Sequence, residues 1–315
     1  MEKDNFMRAM IFGGSGFIGS RVVRGLLDRK HSVVNLDIFP LIPKPIELRY
    51  NHLYCDIRDP EEVKEYVQEV VPEIVYIFSA VSSIEDCIND IRAALNVNLI
   101  GLYNILDGVT SLLDRETNKI NKNSFGGINL PKVVFASSMY ANSANQPYGI
   151  TKFAGERLLK WYASRYGFEY VILRFGTIYG PGAGEHNGLR KLISNALKDK
   201  YISYYGTGVE EREYIHVVDV ANACVDLSSE SDDTFVITGM DKISGSYLCS
   251  MLWEILGEEY GIIFRGEQHE GHYDLTPYRY SDDLGKKYIP DKTIDFGSGL
   301  LELIEEVKNE KQEDI

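Results

Sequence analysis

Short apolar stretches alternate with helical patterns over roughly the first 180 residues. The apolar stretches are rich in β-branched and aromatic residues and are apolar on both faces, which is typical of strands in a parallel sheet covered on both sides. The order strand–helix–strand predicts an α/β fold with a Rossmann-type, doubly wound parallel sheet. The predicted strands are Arg8–Phe12, Ser32–Leu36, His52–Cys55, Ile74–Phe78, Lys132–Ser137 and Tyr170–Arg174. The predicted helices lie near 17–29, 60–70, 86–113 and 148–166.

The regular alternation ends after Arg174, shortly before a stretch rich in glycine and proline at 180–184. We therefore expect a dinucleotide-binding domain over 1–178, to which some later segments return, and a smaller α+β lobe over 179–315. Residues 114–130 are polar and rich in glycine and asparagine, which predicts an inserted surface loop.

Charge and composition exclude several classes of partner. The 315 residues include 33 Lys and Arg against 47 Asp and Glu, a net charge of −14. Nucleic acids and anionic membranes need clustered positive charge, so neither is an expected partner. No apolar run approaches the ~20 residues that span a bilayer. The four cysteines are scattered, without a Cys-x-x-Cys pair, which predicts reduced packing residues in a cytoplasmic protein.

A glycine-rich turn, GGSGFIG, follows the first strand and opens the first helix. Gly13, Gly16 and Gly19 have the spacing of a diphosphate-binding turn, which needs positive φ, backbone without Cβ at the phosphate, and close helix–strand contact. Phe17 and Ile18 lie at the helix N-terminus, whose N–H groups and dipole favour phosphate. The turn predicts a dinucleotide site, although the same glycines would also suit a tight turn without a ligand.

Acidic residues follow the second and third strands. A carboxylate at Asp37 can accept hydrogen bonds from the adenosine ribose and repel a 2′-phosphate, which favours NAD over NADP. Asp37 could equally cap a helix or a turn. After the third strand, Asp56 and Ile57 lie where a carboxylate would meet the adenine amino group, while Asp59 is placed to cap a helix that begins at Pro60.

Tyr148 and Lys152 lie four residues apart at a predicted helix start, so their side chains share one face. An ammonium group beside the phenol, together with a positive nicotinamide ring, would favour the phenolate over a phenol of ordinary pKa ~10. Such a tyrosine can remove a hydroxyl proton while hydride leaves the same carbon. Ser138, at the end of the fifth strand, could hydrogen-bond the reacting oxygen. Ser137 is the alternative, and either serine could be a strand-end cap.

Seven motifs occur in an order that resembles the extended short-chain dehydrogenase/reductases. These are the NAD-dependent nucleotide-sugar epimerases and dehydratases, with UDP-hexose 4-epimerase as the best-known type. The resemblance covers about residues 8–310. The motifs are GGSGFIG, DIRD, NVNLIG, FASS, YGITK, RFGTIYGPG and REYIHVVDV.

The resemblance implies NAD as the cofactor and a nucleotide-diphosphate sugar as the substrate, bound mainly by the C-terminal lobe. It implies that Asn96 touches the nicotinamide side, that Phe78 and Ala80 line the cofactor groove, and that Arg212 binds the nucleotide diphosphate.

The resemblance also implies a homodimer, with the helices near 86–113 and 148–166 forming a four-helix interface. A leucine stripe in the first of these helices is compatible with that interface, and packing on the protomer's own sheet explains it equally well. The stripe consists of Leu95, Leu99, Leu102 and Leu106.

Departures from the family pattern bear on specificity. The loop Met139–Pro147 has only nine residues, so one pocket wall must be built differently. Met139 and Tyr140 follow Ser138 where sugar 4,6-dehydratases resemble one another in an Asp-Glu pair, so the added acid and base that elimination of water requires are missing. Thr177 stands where the family often has a substrate-holding asparagine.

Other polar residues carry weaker signals. Arg279 could be a second phosphate clamp or a surface residue. His269 and His272 lack the spacing that brings two histidines to one helical face, so no metal is expected. His216 lies in a strand-like run, where a buried, hydrogen-bonded histidine is expected.

Together the residues and the resemblance predict an NAD-dependent nucleotide-sugar 4-epimerase that acts through a transient 4-keto sugar. A nucleotide-4-keto-sugar reductase or a C4 dehydrogenase would need the same residues. A non-catalytic, dinucleotide-binding redox sensor would need the glycine-rich turn but not the Tyr148 and Lys152 pair.

Overall fold

The computed structural model describes residues 6–41, 48–114, 119–120, 129–143, 145–266 and 284–313. The chain divides into two compact units. The first unit consists of Met1–Arg174, Ala221–Val236 and Ser281–Lys286. The second consists of Phe175–Val220, Ile237–Tyr280 and Lys287–Ile315.

The strands are β1 (Arg8–Phe12), β2 (Ser32–Asp37), β3 (Tyr50–Tyr54), β4 (Ile74–Ile77), β5 (Leu113–Asp114), β6 (Lys119–Ile120), β7 (Lys132–Ser138), β8 (Tyr170–Phe175), β9 (Thr177–Tyr179), β10 (Tyr201–Tyr204), β11 (Glu211–Arg212), β12 (Tyr214–His216), β13 (Asp233–Ile237), β14 (Ile243–Ser244), β15 (Gly261–Phe264) and β16 (Lys286–Lys287). The α-helices are α1 (Gly19–Asp28), α2 (Pro60–Val70), α3 (Ile84–Asn89), α4 (Ile91–Leu95), α5 (Leu102–Thr110), α6 (Tyr140–Ser143), α7 (Pro147–Tyr166), α8 (Gly188–Asp199), α9 (Val217–Asp226), α10 (Gly245–Leu256) and α11 (Phe296–Glu313). A π-helix covers Asn96–Gly101 and a 3₁₀-helix covers Leu227–Ser229.

An eight-stranded sheet, in the order β16-β13-β8-β7-β4-β1-β2-β3, forms the centre of the first unit. The pairs β1–β2, β2–β3, β1–β4 and β4–β7 are all parallel. The strand order runs outward from β1 in both directions, which confirms the predicted doubly wound α/β sheet. Ligands bind such sheets at the carboxyl ends of the strands beside the point where the order reverses. Here that point lies between β1 and β4.

Strands β1, β4 and β7 are buried over nearly their whole length, as their continuous apolar sequences predict. Their side chains join those of α2, α5 and α7 in the main hydrophobic core, which includes Phe12, Ile77, Leu106, Phe135 and Leu159. The second unit has a core of its own, formed chiefly by α8, α10, α11 and β10.

The prediction of one continuous helix over 86–113 is wrong. Asp90 ends α3 and caps α4 by accepting a hydrogen bond from the Ala93 N–H, and the π-helix then separates α4 from α5. Because these breaks change the helical phase, the leucine stripe does not share one environment. Leu106 is fully buried, whereas Leu95 is 41% exposed. The other strands and helices predicted above agree with the structure to within two residues.

The insertion predicted over 114–130 lies mostly outside the described residues. Strands β5 and β6 pair antiparallel within it. In the part of the chain that is described, no helix is both long and apolar enough to cross a membrane.

Candidate active site

The glycine-rich turn connects β1 to α1 at the carboxyl edge of the sheet. Gly13 has φ +86°, and a Cβ on it would lie 2.5 Å from the Ser79 nitrogen. A Cβ on Gly19 would lie 2.2 Å from the Gly13 carbonyl oxygen. These two glycines are therefore required by the turn itself. Gly16 differs, since it is exposed and its Cβ would meet only one atom, at 3.4 Å. Its backbone is open to a ligand, as a diphosphate site requires.

The start of α1 fits an anionic group. Its N-cap residue, Ile18, offers no side-chain hydrogen bond to the first turn. The Ser20 and Arg21 N–H groups donate to the Gly16 and Ile18 carbonyls, both at 3.0 Å, so it is the dipole of the helix N-terminus that favours an anion here. Arg21 places its guanidinium 5.4 Å from the centre of the Phe17 ring and donates to the Phe17 carbonyl. This adds positive charge beside the helix N-terminus.

Asp37 ends β2 as predicted and holds the turn through both carboxylate oxygens. It accepts hydrogen bonds from the Ser15 N–H at 3.0 Å and from the Phe39 N–H at 3.1 Å. Asp37 therefore caps a turn, which is the role that the sequence offered as the alternative to ribose binding. Each carboxylate oxygen has a second acceptor site, so these bonds leave capacity for a ribose hydroxyl.

The loop after β3 is held in place by ionic and polar contacts. Asp56 binds the Arg58 guanidinium, and this hydrogen bond lowers the pKa of the Asp56 carboxyl. Asn104 donates to the Ile57 carbonyl at 2.9 Å. Asp59 accepts from the first N–H groups of α2, with Pro60 at the first position, which confirms the predicted cap.

The segment after β4 lies directly beside the glycine-rich turn. Phe78 and Ser79 both donate backbone hydrogen bonds to the Phe12 carbonyl, at 2.8 and 3.0 Å. Phe78 and Ala80, which the resemblance assigns to the cofactor groove, are therefore at the same sheet edge as Gly13.

Ser138, Tyr148 and Lys152 are brought together at the carboxyl end of β7 and the start of α7. Gln146 caps α7 by accepting from the Tyr148 N–H at 2.7 Å. The Ser138 hydroxyl accepts from the Tyr140 N–H at 3.3 Å and lies close enough to the Tyr148 phenol to act on its pKa. The Lys152 ammonium donates to the Ala136 carbonyl at 2.8 Å and lies 5.7 Å from the centre of the Tyr148 ring. A phenol, a hydroxyl and an ammonium group thus share one site.

The electrostatics of this site are dominated by burial. Burial raises the pKa of Tyr148 to about 12, against the opposing effect of the Ser138 hydroxyl. Burial also lowers the pKa of Lys152 to about 8. The physical reason is that removal from water dominates, and the ammonium donates to a carbonyl rather than to the phenol. The sequence expectation of a phenolate includes a positive nicotinamide ring, so these pKa values describe the protein alone and the phenolate of the filled site stays a prediction.

The structure decides between the two strand-end serines. The Ser137 hydroxyl donates to Glu156 at 2.5 Å, and Glu156 forms a buried ion pair with Arg174 at 2.6 Å. Ser137 therefore faces an internal polar network, and Ser138 is the serine in contact with Tyr148.

The sequence analysis missed Asn98, which lies in the π-helix. Asn96 is exposed, whereas Asn98 is buried. The Asn98 amide accepts from the Val81 N–H and donates to the Val81 carbonyl and to the Thr151 hydroxyl, at 2.8, 3.1 and 3.0 Å. It thus joins the segment after β4 to α7. A polar residue four positions before Leu102, on the apolar stripe, was the available signal.

The short loop after Ser138 forms a helical turn, α6, that begins with Tyr140. The Tyr140 ring lies edge-on to the Tyr148 ring, with centres 6.3 Å apart. Asn142, also in α6, accepts from Arg174 at 2.6 Å. The short loop therefore places a second phenol, Tyr140, beside Tyr148, and Asn142 ties the same helical turn to Arg174 of the buried ion pair.

The predicted substrate-binding residues Thr177 and Arg212 belong to the second unit. Thr177 lies in β9, which pairs with β12, and the positive charge of Arg212 acts to lower the pKa of the Tyr204 phenol, which burial raises. His216 is buried and accepts from the Val218 N–H at 3.4 Å, as expected of a packed histidine. Arg279, His269 and His272 lie outside the described residues.

Residues 9–238 match the profile of the NAD dependent epimerase/dehydratase family. The chain belongs to this family, which confirms the resemblance, the class of enzyme and NAD as the cofactor. Among its relatives, a putative UDP-glucose 4-epimerase of Methanocaldococcus jannaschii is 27% identical over 312 residues, which cover 95% of this chain and 98% of that protein. A dTDP-glucose 4,6-dehydratase of Salmonella typhimurium is 25% identical over 340 residues, covering 95% and 92%.

Solved structures share the fold over almost the whole chain. The UDP-glucose 4-epimerase of Thermotoga maritima, solved with UDP-glucose, has a TM-score of 0.75 at 21% identity and covers 97% of this chain and 100% of its own. The UDP-glucuronic acid 4-epimerase of Bacillus cereus, solved with UDP-glucuronic acid and NAD, has a TM-score of 0.74 at 22% identity, covering 96% and 99%.

Proposed function

We propose that the protein is an NAD-dependent nucleotide-sugar 4-epimerase that works through a transient 4-keto sugar. The observation that carries this proposal is the grouping of Ser138, Tyr148 and Lys152 at one sheet edge, beside a turn suited to a diphosphate. Relatives named as UDP-sugar 4-epimerases support the same reaction.

The cofactor site that we propose runs along the carboxyl edge of the sheet in the first unit. When bound, NAD supplies the acceptor and donor of hydride and a positive ring near the phenol. The diphosphate would lie on the backbone of the glycine-rich turn and the N-terminus of α1. Asp37 would accept from the ribose, and Asp56 and Ile57 would border the adenine. The remaining residues of the proposed site are Gly13, Gly16, Phe17, Ile18, Gly19, Phe78, Ala80 and Asn96.

Tyr148 would take the proton of the sugar C4 hydroxyl and later return it to the same oxygen. Its pKa of about 12 keeps the phenol protonated in the protein alone, so it would become a base only in the filled site. Ser138, which lies beside the phenol, would share the proton. Lys152 would favour the phenolate by its charge and would hold ribose hydroxyls. The sugar loses hydrogen from C4 and regains it on the opposite face, which inverts the carbon.

Elimination of water is the reaction that the dehydratase relatives suggest, and the site favours epimerisation over it. Dehydration needs a further acid and base next to the reacting carbons. Met139 and Tyr140 follow Ser138, and the four residues of α6, YANS, include no carboxylate. Epimerisation requires no acid or base beyond Tyr148 and Ser138.

The nucleotide sugar would be held by the second unit. We assign Arg212 and Arg279 to the diphosphate, since a guanidinium group matches phosphate oxygens in a bidentate manner. Thr177 would contact the substrate at the position where the family often has an asparagine. Ser138 would bind the sugar at the reacting oxygen.

We also propose a homodimer, formed by the helices between 84 and 110 together with α7. Large apolar side chains are exposed on these helices of the first unit, and such patches mark interaction sites. They are Ile88, Ile91, Leu95, Ile100, Tyr103, Ile150, Phe153 and Trp161. A cytoplasmic location is consistent with four cysteines that are all free and buried.

One assay tests the proposed reaction. The purified protein, given UDP-sugars and no added nicotinamide cofactor, should produce a mixture of C4 epimers that is measured by NMR. Net consumption of NADH with a 4-keto sugar would instead identify a reductase. Tyr148→Phe should lower turnover by at least about a hundredfold, the scale of general acid–base catalysis. Unchanged turnover in this variant would contradict the role of Tyr148 as the acid–base group, and absence of turnover in the wild-type protein as well would leave only a role in binding the dinucleotide.

A further inference from the structure

A cluster of polar side chains lies beneath the glycine-rich turn of the first unit and has no role in the chemistry described above. Its centre is Asn35, in the interior of β2, where the neighbours Val33, Val34 and Leu36 are apolar. Asn35 is 0% exposed. A fully buried amide is stable only when hydrogen bonds replace its water, so its partners indicate what it holds.

The Asn35 amide nitrogen points to three acceptors. These are the Ser15 hydroxyl at 3.0 Å, the Tyr50 phenol at 3.2 Å and the His52 Nδ1 at 3.3 Å. Its amide oxygen has no hydrogen-bond partner among the described residues. A Cβ on Gly14 would lie 2.3 Å from that oxygen. The second glycine of the turn is therefore required by Asn35 and not by a ligand.

The link through Ser15 reaches the proposed ribose-binding residue. The Ser15 hydroxyl donates to the Phe39 carbonyl at 2.7 Å, and the Ser15 N–H donates to Asp37 at 3.0 Å. A serine hydroxyl has one hydrogen, and since Phe39 receives it, Ser15 must accept from Asn35. The direction of every bond in this link is thus fixed.

Asn35 and Asp37 lie two residues apart on one strand, so their side chains are on the same face of the sheet. Ser15 contacts both of them from the glycine-rich turn. The orientation of the Asp37 carboxylate and the position of the turn are therefore set by the same three residues.

We propose that Asn35 is a positioning residue of the dinucleotide site. By holding Ser15 it keeps the glycine-rich turn and Asp37 at the spacing that binds the diphosphate and the adenosine ribose together. The inference rests on the NAD site proposed above. It extends that site to a buried side chain that itself touches no ligand.

A purely structural role makes a different prediction. Asn35 also contacts Tyr50 and His52 of β3, and so could serve only to join β2 to β3. In that case its loss would lower stability, and dinucleotide affinity would fall no more than in any other variant of equal stability.

The test compares Asn35→Leu with Val33→Ala in the full-length protein. Val33 lies on the same strand and the same face and is equally buried, but it has no polar side chain to hold Ser15. NADH and NADPH are titrated separately, with the nucleotide's fluorescence as the readout, and thermal unfolding is recorded for each variant. Asn35→Leu should raise the Kd for NADH about tenfold, which corresponds to about 1.4 kcal/mol, and should reduce the preference for NADH over NADPH. Val33→Ala should lower the Tm and leave the Kd within about twofold.

Ser15→Ala provides a second variant, one that removes only a half-buried hydroxyl from the turn. If Asn35 acts through Ser15, adding Asn35→Leu to Ser15→Ala should weaken NADH binding no further, because the link is already broken. Fully additive losses would overturn the proposal. Equal losses in Asn35→Leu and Val33→Ala would also overturn it, as would NADH binding by Asn35→Leu at the wild-type Kd. Absence of NADH binding in the wild type would contradict the proposed dinucleotide site itself.

Discussion

Lys152 carries a charge that its surroundings disfavour, because its side chain is only 4% exposed. Burial lowers its pKa to about 8, from 10.5 for a lysine in water. Between these two values the unfolded chain binds more protons than the native protein does, so stability rises with pH over that range.

Relative to Lys152→Met, the wild-type protein should therefore gain up to about 3 kcal/mol in free energy of unfolding between about pH 8 and pH 10.5. Urea unfolding of both proteins at several pH values measures this difference. Other titrating groups are common to the two proteins and cancel. A difference that stays constant across the range would show that the ammonium is not desolvated.

Asn98 should contribute more to stability than its exposed neighbour Asn96. Asn98→Leu keeps the approximate shape of the side chain but removes all three of its hydrogen bonds, leaving the part-buried backbone of Val81 and the buried Thr151 hydroxyl with fewer partners. We expect a loss of about 2 kcal/mol or more in free energy of unfolding. Asn96→Leu is the control and should change stability by at most about 0.5 kcal/mol. Equal effects in denaturant unfolding would refute the assignment.

At the residue scale, the sequence indicated which chemical groups share one helix better than it indicated which residues contact one another in the folded protein. Tyr148 and Lys152 could be paired because both are on one helix with a known repeat. Ser137 and Ser138 could not be separated, since the choice depends on Glu156 and Arg174, which are distant in the sequence and meet only in the folded sheet. The raised pKa of Tyr148 was missed for a similar reason, because burial is a property of the surroundings.

Helices α6 and α7 approach each other closely at Gly149, which sets the geometry between Ser138 and Tyr148. A Cβ on Gly149 would lie 2.5 Å from the Tyr140 carbonyl oxygen. Since Tyr140 is two residues from Ser138, moving this backbone would displace the serine from the phenol.

Gly149→Ala should therefore lower both stability, by about 1–3 kcal/mol, and turnover. The control is Gly25→Ala in the middle of α1, where the added Cβ would meet only a Val225 methyl group at 3.6 Å. That variant should stabilise the protein by about 0.4–1 kcal/mol, because it restricts the unfolded chain. Thermal unfolding and the epimerisation assay measure the two effects. A Gly149→Ala protein with normal turnover would contradict the tight packing of α6 on α7.

Element boundaries were predictable wherever one periodic pattern covered one element. Strands β1, β4 and β7 are apolar on both faces, and α2 begins with a proline preceded by a capping aspartate, so their limits could be read from the sequence. The region from 84 to 110 could not be read this way. A six-residue π-helix shifts the helical phase without any glycine or proline at its start, and the 3.6-residue pattern continues across it.

At the scale of the whole molecule, the exposed apolar residues on α4, α5 and α7 test the proposed homodimer. Leu95→Glu would place a charge within that surface and should convert a dimer to monomers, which light scattering after gel filtration can measure. Leu301→Glu is the matched control, since Leu301 is exposed to a similar extent on α11 of the second unit. A wild-type protein that is already monomeric would refute the dimer, as would equal dissociation in both variants.

The later segments that join the first unit could not be identified from the sequence. Strand neighbours depend on tertiary pairing, and no local sequence pattern in Asp233–Ile237 indicates that this segment pairs with β8. The parallel, doubly wound arrangement of the preceding strands was predictable because right-handed crossovers leave few alternatives.

The discontinuous first unit has a consequence for synthesis on the ribosome. Strand β8 ends at Phe175, but its outer neighbour β13 is complete only when Ile237 has been made, and β16 follows after that. Until then β8 presents unpaired N–H and carbonyl groups that another nascent chain can pair with. Folding of this unit must therefore wait until β13 and β16 have been made, and fragments that end near Arg174 should aggregate even though they carry Ser138, Tyr148 and Lys152.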